Sequence, residues 1–117
     1  MRRREENEGA GHRHLRLQGL ILEELRALLR DDVADPALLT VRITAAVLSV
    51  DYRQARVHYA TLGHAVSSSG EERALLRVTP FLRARLADAL DLKRVPDLRF
   101  LFDGVLAEDG TTDEEDP

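Results

Sequence analysis

The sequence predicts one α+β domain, running helix, strand, strand, broken helix pair, strand, with the helices on one face of a three-stranded sheet. A chain of 117 residues, 44% of them hydrophobic, is sized for one core rather than two. Apolar residues recur at helical spacing from Leu17 to Leu29 and again from Leu75 to Leu90. Elsewhere, apolar and polar residues alternate over 55–61 and 98–102, the period of a strand with one buried face.

Each element has its own signal. Positions 1–12 are polar and include Gly9 and Gly11, which reads as a flexible arm without fixed structure. From Leu17, the residues Leu20, Ile21, Leu25, Leu28 and Leu29 make the apolar stripe of a helix that runs to about Arg30, and Asp35-Pro36 stops it. Val41 to Val50 is rich in β-branched residues, and its near-continuous apolar run from Ile43 to Leu48 predicts a central strand buried on both faces. Asp51 to Arg53 connects it to a half-buried partner, in which Ala55, Val57, Tyr59 and Thr61 alternate with Arg56, His58 and Ala60.

The stretch GHAVSSSG is a loop. Ser68 or Ser69, with Glu71 or Glu72 three residues on, offers two capping-box registers for the next helix. Thr79-Pro80 looks like an N-cap followed by proline at the first helical position, so the run from Glu71 to Leu90 is expected to break there. Leu75, Leu76, Phe81, Leu82, Leu86 and Leu90 supply its apolar stripes. After Pro96, the third strand turns Leu98, Phe100 and Phe102 inward and Arg99 outward. Arg42, Arg56, His58 and Arg99 then share the open face of the sheet. Positions 107–117 are too acidic and too poor in apolar residues to pack, and read as a disordered tail.

The formal net charge of −4 conceals a basic body. Three Arg and three Glu fall in the first eleven positions and seven acids in 103–117, leaving 14 basic against 11 acidic residues between, a net of +3. Sixteen of the 17 basic residues are Arg. The absence of Cys excludes a disulfide framework, thiolate metal sites and a cysteine nucleophile. No apolar run approaches a membrane span, and the opening MRRREENEGAGHRH lacks the apolar segment of a signal peptide, so a cytoplasmic protein is expected.

Taken in order, several motifs resemble the ribosome-binding factor A family, bacterial assembly factors with a type II KH-like fold. These are Arg13-x-x-Arg16-Leu17, Asp35-Pro36 followed by Leu38, Thr44, Leu48-Ser49-x-Asp51-Tyr52, and Ala55 with Val57. Phe81-Leu82-Arg83, Leu92, Val95-Pro96-Asp97-Leu98-x-Phe100 and Asp103 continue the series, which spans residues 13–106. The resemblance implies a non-enzymatic KH-like ribosome-binding domain over 13–106. It implies binding to the free small (30S) ribosomal subunit and its 16S rRNA. It also implies a role in late maturation and 5′-end processing of that RNA, one that matters more in the cold. A monomer without cofactor, metal or small-molecule substrate is implied, with other assembly factors or GTPases as further candidate partners.

The chain departs from the pattern at several points. It lacks the Gly-x-x-Gly loop with which KH domains clamp nucleotide phosphates. Val78-Thr79-Pro80 stands where the family kinks its helix with a small residue and Gly, and Ala37 occupies a position often basic. Asp103-Gly104-Val105 replaces the usual Asp-x-Ser, and an acidic stretch follows where many members have a closing helix.

RNA binding demands cations spaced to meet phosphates. The candidates are Arg13 and Arg16 at the start of the first helix, Arg73 and Arg77 one turn apart, Arg83 and Arg85, and Lys93-Arg94. Arg53 in the hairpin turn, with Arg56 and Arg99 on the open sheet face, adds a second surface. For any one of these, a solvated surface charge is the plainer reading; for the set, under the resemblance, RNA contact is. With two Tyr and three Phe in the chain, base stacking has little support.

His12-x-His14 offers two metal ligands and no third. His58 and His64 read as strand-surface and loop residues, and Asp35, Asp51 and Asp103 sit at element ends where Asp commonly bonds backbone amides. Ser68-Ser69 lacks a nucleophile elbow, and no phosphate-binding loop is present. The alternative reading is a protein-interaction adaptor that has lost RNA binding, motivated by the charge of −4 and the missing Gly-x-x-Gly. The acidic tail reads as a solubilising end; the sharper idea is that it repels RNA or covers the basic surface. Truncation after Leu106 separates these: unchanged binding to unrelated RNA at low salt leaves only a solubilising end.

Overall fold

The computed structural model describes residues 2–63 and 69–106, with side chains described over 11–63 and 70–106. Helix α1 covers Arg2–Asp31, strands β1 and β2 cover Val41–Leu48 and Gln54–Leu62, helix α2 covers Ser69–Leu90, and strand β3 covers Asp97–Leu106. A short 3₁₀ turn at Pro36–Leu38 opens on Asp35, whose carboxylate accepts the Ala37 N–H at 3.0 Å. The sheet order is β1-β2-β3, with β1–β2 antiparallel and β2–β3 parallel. Among the described residues no helix is long and apolar enough to cross a membrane.

The core lies between the sheet and the two helices. Ile21, Leu25 and Leu28 of α1 meet Ala74, Leu75, Leu82 and Leu86 of α2 over Val41, Ile43, Ala46, Leu48, Ala55, Val57 and Tyr59 of the sheet. Leu98, Phe100 and Phe102 pack against this cluster from β3. Arg42, Arg56 and Arg99 are exposed and His58 is half-buried, on the face turned away from the helices as expected.

Four expectations need correction. The central strand is β2, and β1 is an edge. A bulge between Ile43 and Ala45 inserts Thr44 and shifts the inward phase from Val41 and Ile43 to Ala46 and Leu48. Read without that extra residue, the alternation looks like a continuous apolar run.

Second, α1 begins at Arg2 rather than after a flexible arm. Gly9 and Gly11 each cost a helix about 1 kcal/mol, but the Arg, Glu and Ala around them are good helix formers, and the packed turns from Leu17 onward supply the nucleus.

Third, α2 passes through Val78, Thr79 and Pro80 unbroken. Thr79 is no cap: its hydroxyl donates back to the Leu75 carbonyl at 2.7 Å. Pro80 has no N–H for the Leu76 carbonyl, but both residues lie on the exposed side of the helix, while Leu75, Leu82 and Leu86 hold the two halves on one core. Fourth, Leu20, Leu76 and Phe81 lie off the buried stripes, at 38%, 69% and 39% exposure. The capping candidate Ser68 and the loop residue His64 fall outside the described residues, as does the tail at 107–117.

Helix α1 also finishes the β1 edge. Gln18 accepts the Leu48 N–H at 2.9 Å, and Arg26 donates to the Ile43 and Thr44 carbonyls at 2.9 and 3.3 Å, at the bulge. Backbone groups that β2 does not take thereby find partners on the helix. Gln18→Leu, which strips the Leu48 N–H of its acceptor, is expected to cost about 1–3 kcal/mol. Leu25→Ala, in the core, is expected to cost about 2–5 kcal/mol. Both are read from the denaturation midpoint at unchanged slope.

Candidate nucleic-acid interface

Three segments converge at one end of the sheet. The turn between β1 and β2, residues 49–53, is touched from one side by α1, where His14 Nε2 lies 3.1 Å from the Ser49 carbonyl. On the other side the Asp97 N–H donates to the Arg53 carbonyl at 2.9 Å, which brings the connection from α2 to β3 alongside. Arg13 and Arg16 on α1, Arg53 in the turn, and Lys93 and Arg94 in the connection are therefore grouped. All five are exposed.

The turn is built by local chemistry. The Ser49 hydroxyl donates to Asp51 at 2.7 Å and accepts the Gln54 N–H at 2.9 Å, while Asp51 also accepts the Arg53 N–H at 3.1 Å. These bonds favour the ionised carboxylate, and they hold Asp51 below its ordinary range, the Ser49 hydroxyl first and the Arg53 N–H next. They also fix Tyr52 in the left-handed region at φ +65°; the residue is 42% exposed, with its ring edge-on to His14 at 5.4 Å. Sequence reading passes over Tyr52 as a site residue. The Ser49-x-Asp51 spacing of a side-chain-locked turn is the signal that marks it.

The structure sorts the predicted cations into two groups. Arg77 pairs with Asp35 at 3.0 Å, and Arg85 pairs with Asp32 at 3.2 Å while lying 5.6 Å over the Phe81 ring. Arg83 donates to the Val95 and Pro96 carbonyls at 2.8 and 3.2 Å and lies 3.5 Å from Asp97. These three tie α2 to the segments around it. Arg13, Arg16, Arg53, Arg56, Arg73, Lys93, Arg94 and Arg99 form no ion pair with another described residue.

Arg56 and Arg99 are cross-strand partners on the open face, beside the grouped five. Arg73 stands apart, near the start of α2. Of the acids at the basic end, Asp51 is engaged in the turn and Asp97 lies beside Arg83, while Asp91, in the same connection as Lys93 and Arg94, is exposed.

The remaining titratable residues take structural places. Asp35 is held below the usual carboxylate range by the Ala37 N–H and then by Arg77. Asp103, expected to bond backbone amides, instead meets His58 Nδ1 at 3.0 Å and accepts from the Thr44 hydroxyl at 3.4 Å. It sits where β3 shifts register against β2, before Gly104 at φ +124°, so the bulge turns its carboxylate toward the open face.

Residues 13–115 match the family model of ribosome-binding factor A. A ribosome-binding factor A of Heliobacterium modesticaldum is 42% identical over 94 residues, covering 80% of this chain and 78% of that protein. One from Vesicomyosocius okutanii is 36% identical over 98 residues, with 84% of each chain covered. The crystal structure of ribosome-binding factor A from Thermus thermophilus superposes with a TM-score of 0.59 at 29% identity, covering 79% of this chain and 92% of that one. Coordinates of the Thermus thermophilus factor fitted into a cryo-EM map of a 30S complex give 0.62 at 28% identity, covering 73% and 89%.

The turn and the bonds made by Asp35 and Arg83 have measurable consequences. Asp35 and Asp51 are depressed in the folded state, so the stability they add is present above the ordinary value of about 4 and is lost as pH falls through the folded values. The thermal midpoint is expected to drop across that acidic range, and Asp51→Asn, which can still accept the same bonds, to flatten the drop. Arg83→Gln is expected to cost about 1–3 kcal/mol by leaving two carbonyls unpaired, whereas Arg94→Gln stays within about 0.5 kcal/mol of wild type, both by chemical denaturation.

Proposed function

The chain belongs to the ribosome-binding factor A family, and on that premise we propose that it binds the free small (30S) ribosomal subunit through its 16S rRNA, without catalysing a reaction. The observation that carries this reading is the basic end. There Arg13, Arg16, Arg53, Lys93 and Arg94 are grouped, exposed and without acidic partners among the described residues. Free guanidinium groups suit bidentate phosphate contacts. Arg56 and Arg99 extend the surface onto the open sheet, and Arg73 is an outlying contact. Arg77, Arg83 and Arg85 act through the fold, because each is already bound to another segment.

In this reading residues 13–106 are the ribosome-binding domain, working in the cytoplasm as a monomer during late maturation of the subunit, including 5′-end processing of its RNA. The factor acts by occupancy. Bound to the immature RNA, it holds one conformation or blocks early use of the subunit until maturation is complete. The absence of a Gly-x-x-Gly loop removes the usual backbone clamp, so side-chain cations carry a larger share of the phosphate contact.

Co-sedimentation with small subunits, large subunits and whole ribosomes across a salt series tests the proposal. Retention by small subunits alone, falling steeply as salt rises, is the expected result. Arg16→Glu, Arg53→Glu and Arg94→Glu should each weaken retention and lower the salt slope by about 1 or more, with thermal midpoints unchanged. Retention that hardly responds to salt would point instead to an adaptor docking through protein contacts.

A further inference from the structure

The β1–β2 turn holds an aromatic side chain in a backbone conformation that residues with a Cβ seldom adopt. Tyr52 sits at φ +65°, where Gly or Asn is the usual occupant. The conformation is enforced from several directions. Asp51 binds the Ser49 hydroxyl and the Arg53 N–H, and the Tyr52 N–H itself donates to the Ser49 carbonyl at 2.9 Å.

This rigid presentation brings the core nothing. Tyr52 is 42% exposed and the nearby Val50 is 90% exposed. The ring's one aromatic partner among the described residues is His14, edge-on at 5.4 Å, which is itself held 3.1 Å from the Ser49 carbonyl. Backbone and ring are thus both braced while the ring stays open to solvent. Strain that the surroundings over-determine, around a side chain absent from the core, is the pattern of a binding device.

We infer that Tyr52 is a stacking platform for one unpaired RNA base, with Arg53 meeting the phosphate beside it. The inference rests on the small-subunit reading and adds to it a contact that does not depend on charge. Every base has a π face, so such a platform tolerates any sequence but requires a nucleotide free of its duplex. Arg53 follows Tyr52 in the chain, is exposed and forms no ion pair with another described residue, so a phosphate next to the stacked base meets a cation there. A buried protein contact would also use an exposed Tyr and Val, but it would not call for Arg53 beside the ring, exposed and with no ion pair to another described residue. The grouped cations favour the nucleotide.

The chain has two Tyr and no Trp, and Tyr59 is buried, so a change in tyrosine emission on adding RNA reports on Tyr52. Single-stranded oligoadenylate should quench that emission. Tyr52→Asn, which suits the left-handed turn, should keep the thermal midpoint yet weaken binding to the oligomer and to small subunits about 5- to 100-fold. Tyr52→Phe, which carries the ring, should recover it, and a duplex of equal length should be bound alike by both variants. Equal retention of the Asn variant and wild type overturns the stacking inference alone. So does equal weakening on duplex RNA, failure of wild type to bind the oligomer while it binds subunits, or a loss on subunits without one on the oligomer, which marks a protein contact. Wild type retained by neither subunits nor oligomer would overturn the small-subunit reading as well.

Discussion

An outer strand offers a row of backbone groups with nothing to bond, and the placement of α1 against β1 answers that demand. Gln18 and Arg26 take the Leu48 N–H and the carbonyls at the bulge, on the side of the helix next to the buried Ile21, Leu25 and Leu28. One helix therefore meets two requirements at once, apolar burial and edge satisfaction, and the two together fix its position along the strand. That position carries the turns around His14 past the end of β1 and over the β1–β2 turn. The grouping of Arg13 and Arg16 with Arg53 is a consequence of how an edge was closed.

The same economy governs the cations. A guanidinium has several donors and is always charged, so it can hold distant pieces of chain together or wait for a ligand, and it is hard for one residue to do both. Three of the four arginines of α2 go to structure: Arg77 and Arg85 reach Asp35 and Asp32 in the segment after α1, and Arg83 reaches the connection to β3. Arg53, Lys93 and Arg94, in the turn and the connection, form no ion pair with another described residue. The proposed nucleic-acid contact thus falls to arginines other than those that tie the segments of the fold together.

Much of this was legible in the sequence. The inward set Ala55, Val57, Tyr59 and Thr61, and its counterpart Leu98, Phe100 and Phe102, follow from alternation because both strands keep phase through those residues. The edge position of β1 was hidden because a one-residue bulge erases alternation locally and imitates a fully buried strand. The continuity of α2 through Pro80 was hidden because propensity is local, while the core that holds both halves is assembled from distant residues. For the site, sequence supplied every candidate cation but not its partner. Whether Arg83 faces solvent or the Val95 and Pro96 carbonyls depends on a contact twelve or thirteen residues away.

The order of strands in the sheet differs from the order in which they are made. β2 receives β1 through a short turn, but its other neighbour arrives only after the whole of α2, when Asp97 comes to lie beside Gln54. Closing that long excursion carries an entropic charge that no parallel pairing offsets until β3 is in place. While the chain is being synthesised, the central strand is thus left with one flank open for the time it takes to translate the second helix and its connection. The last strand to be made is therefore also the one that covers the second flank of β2 and brings Leu98, Phe100 and Phe102 against the core.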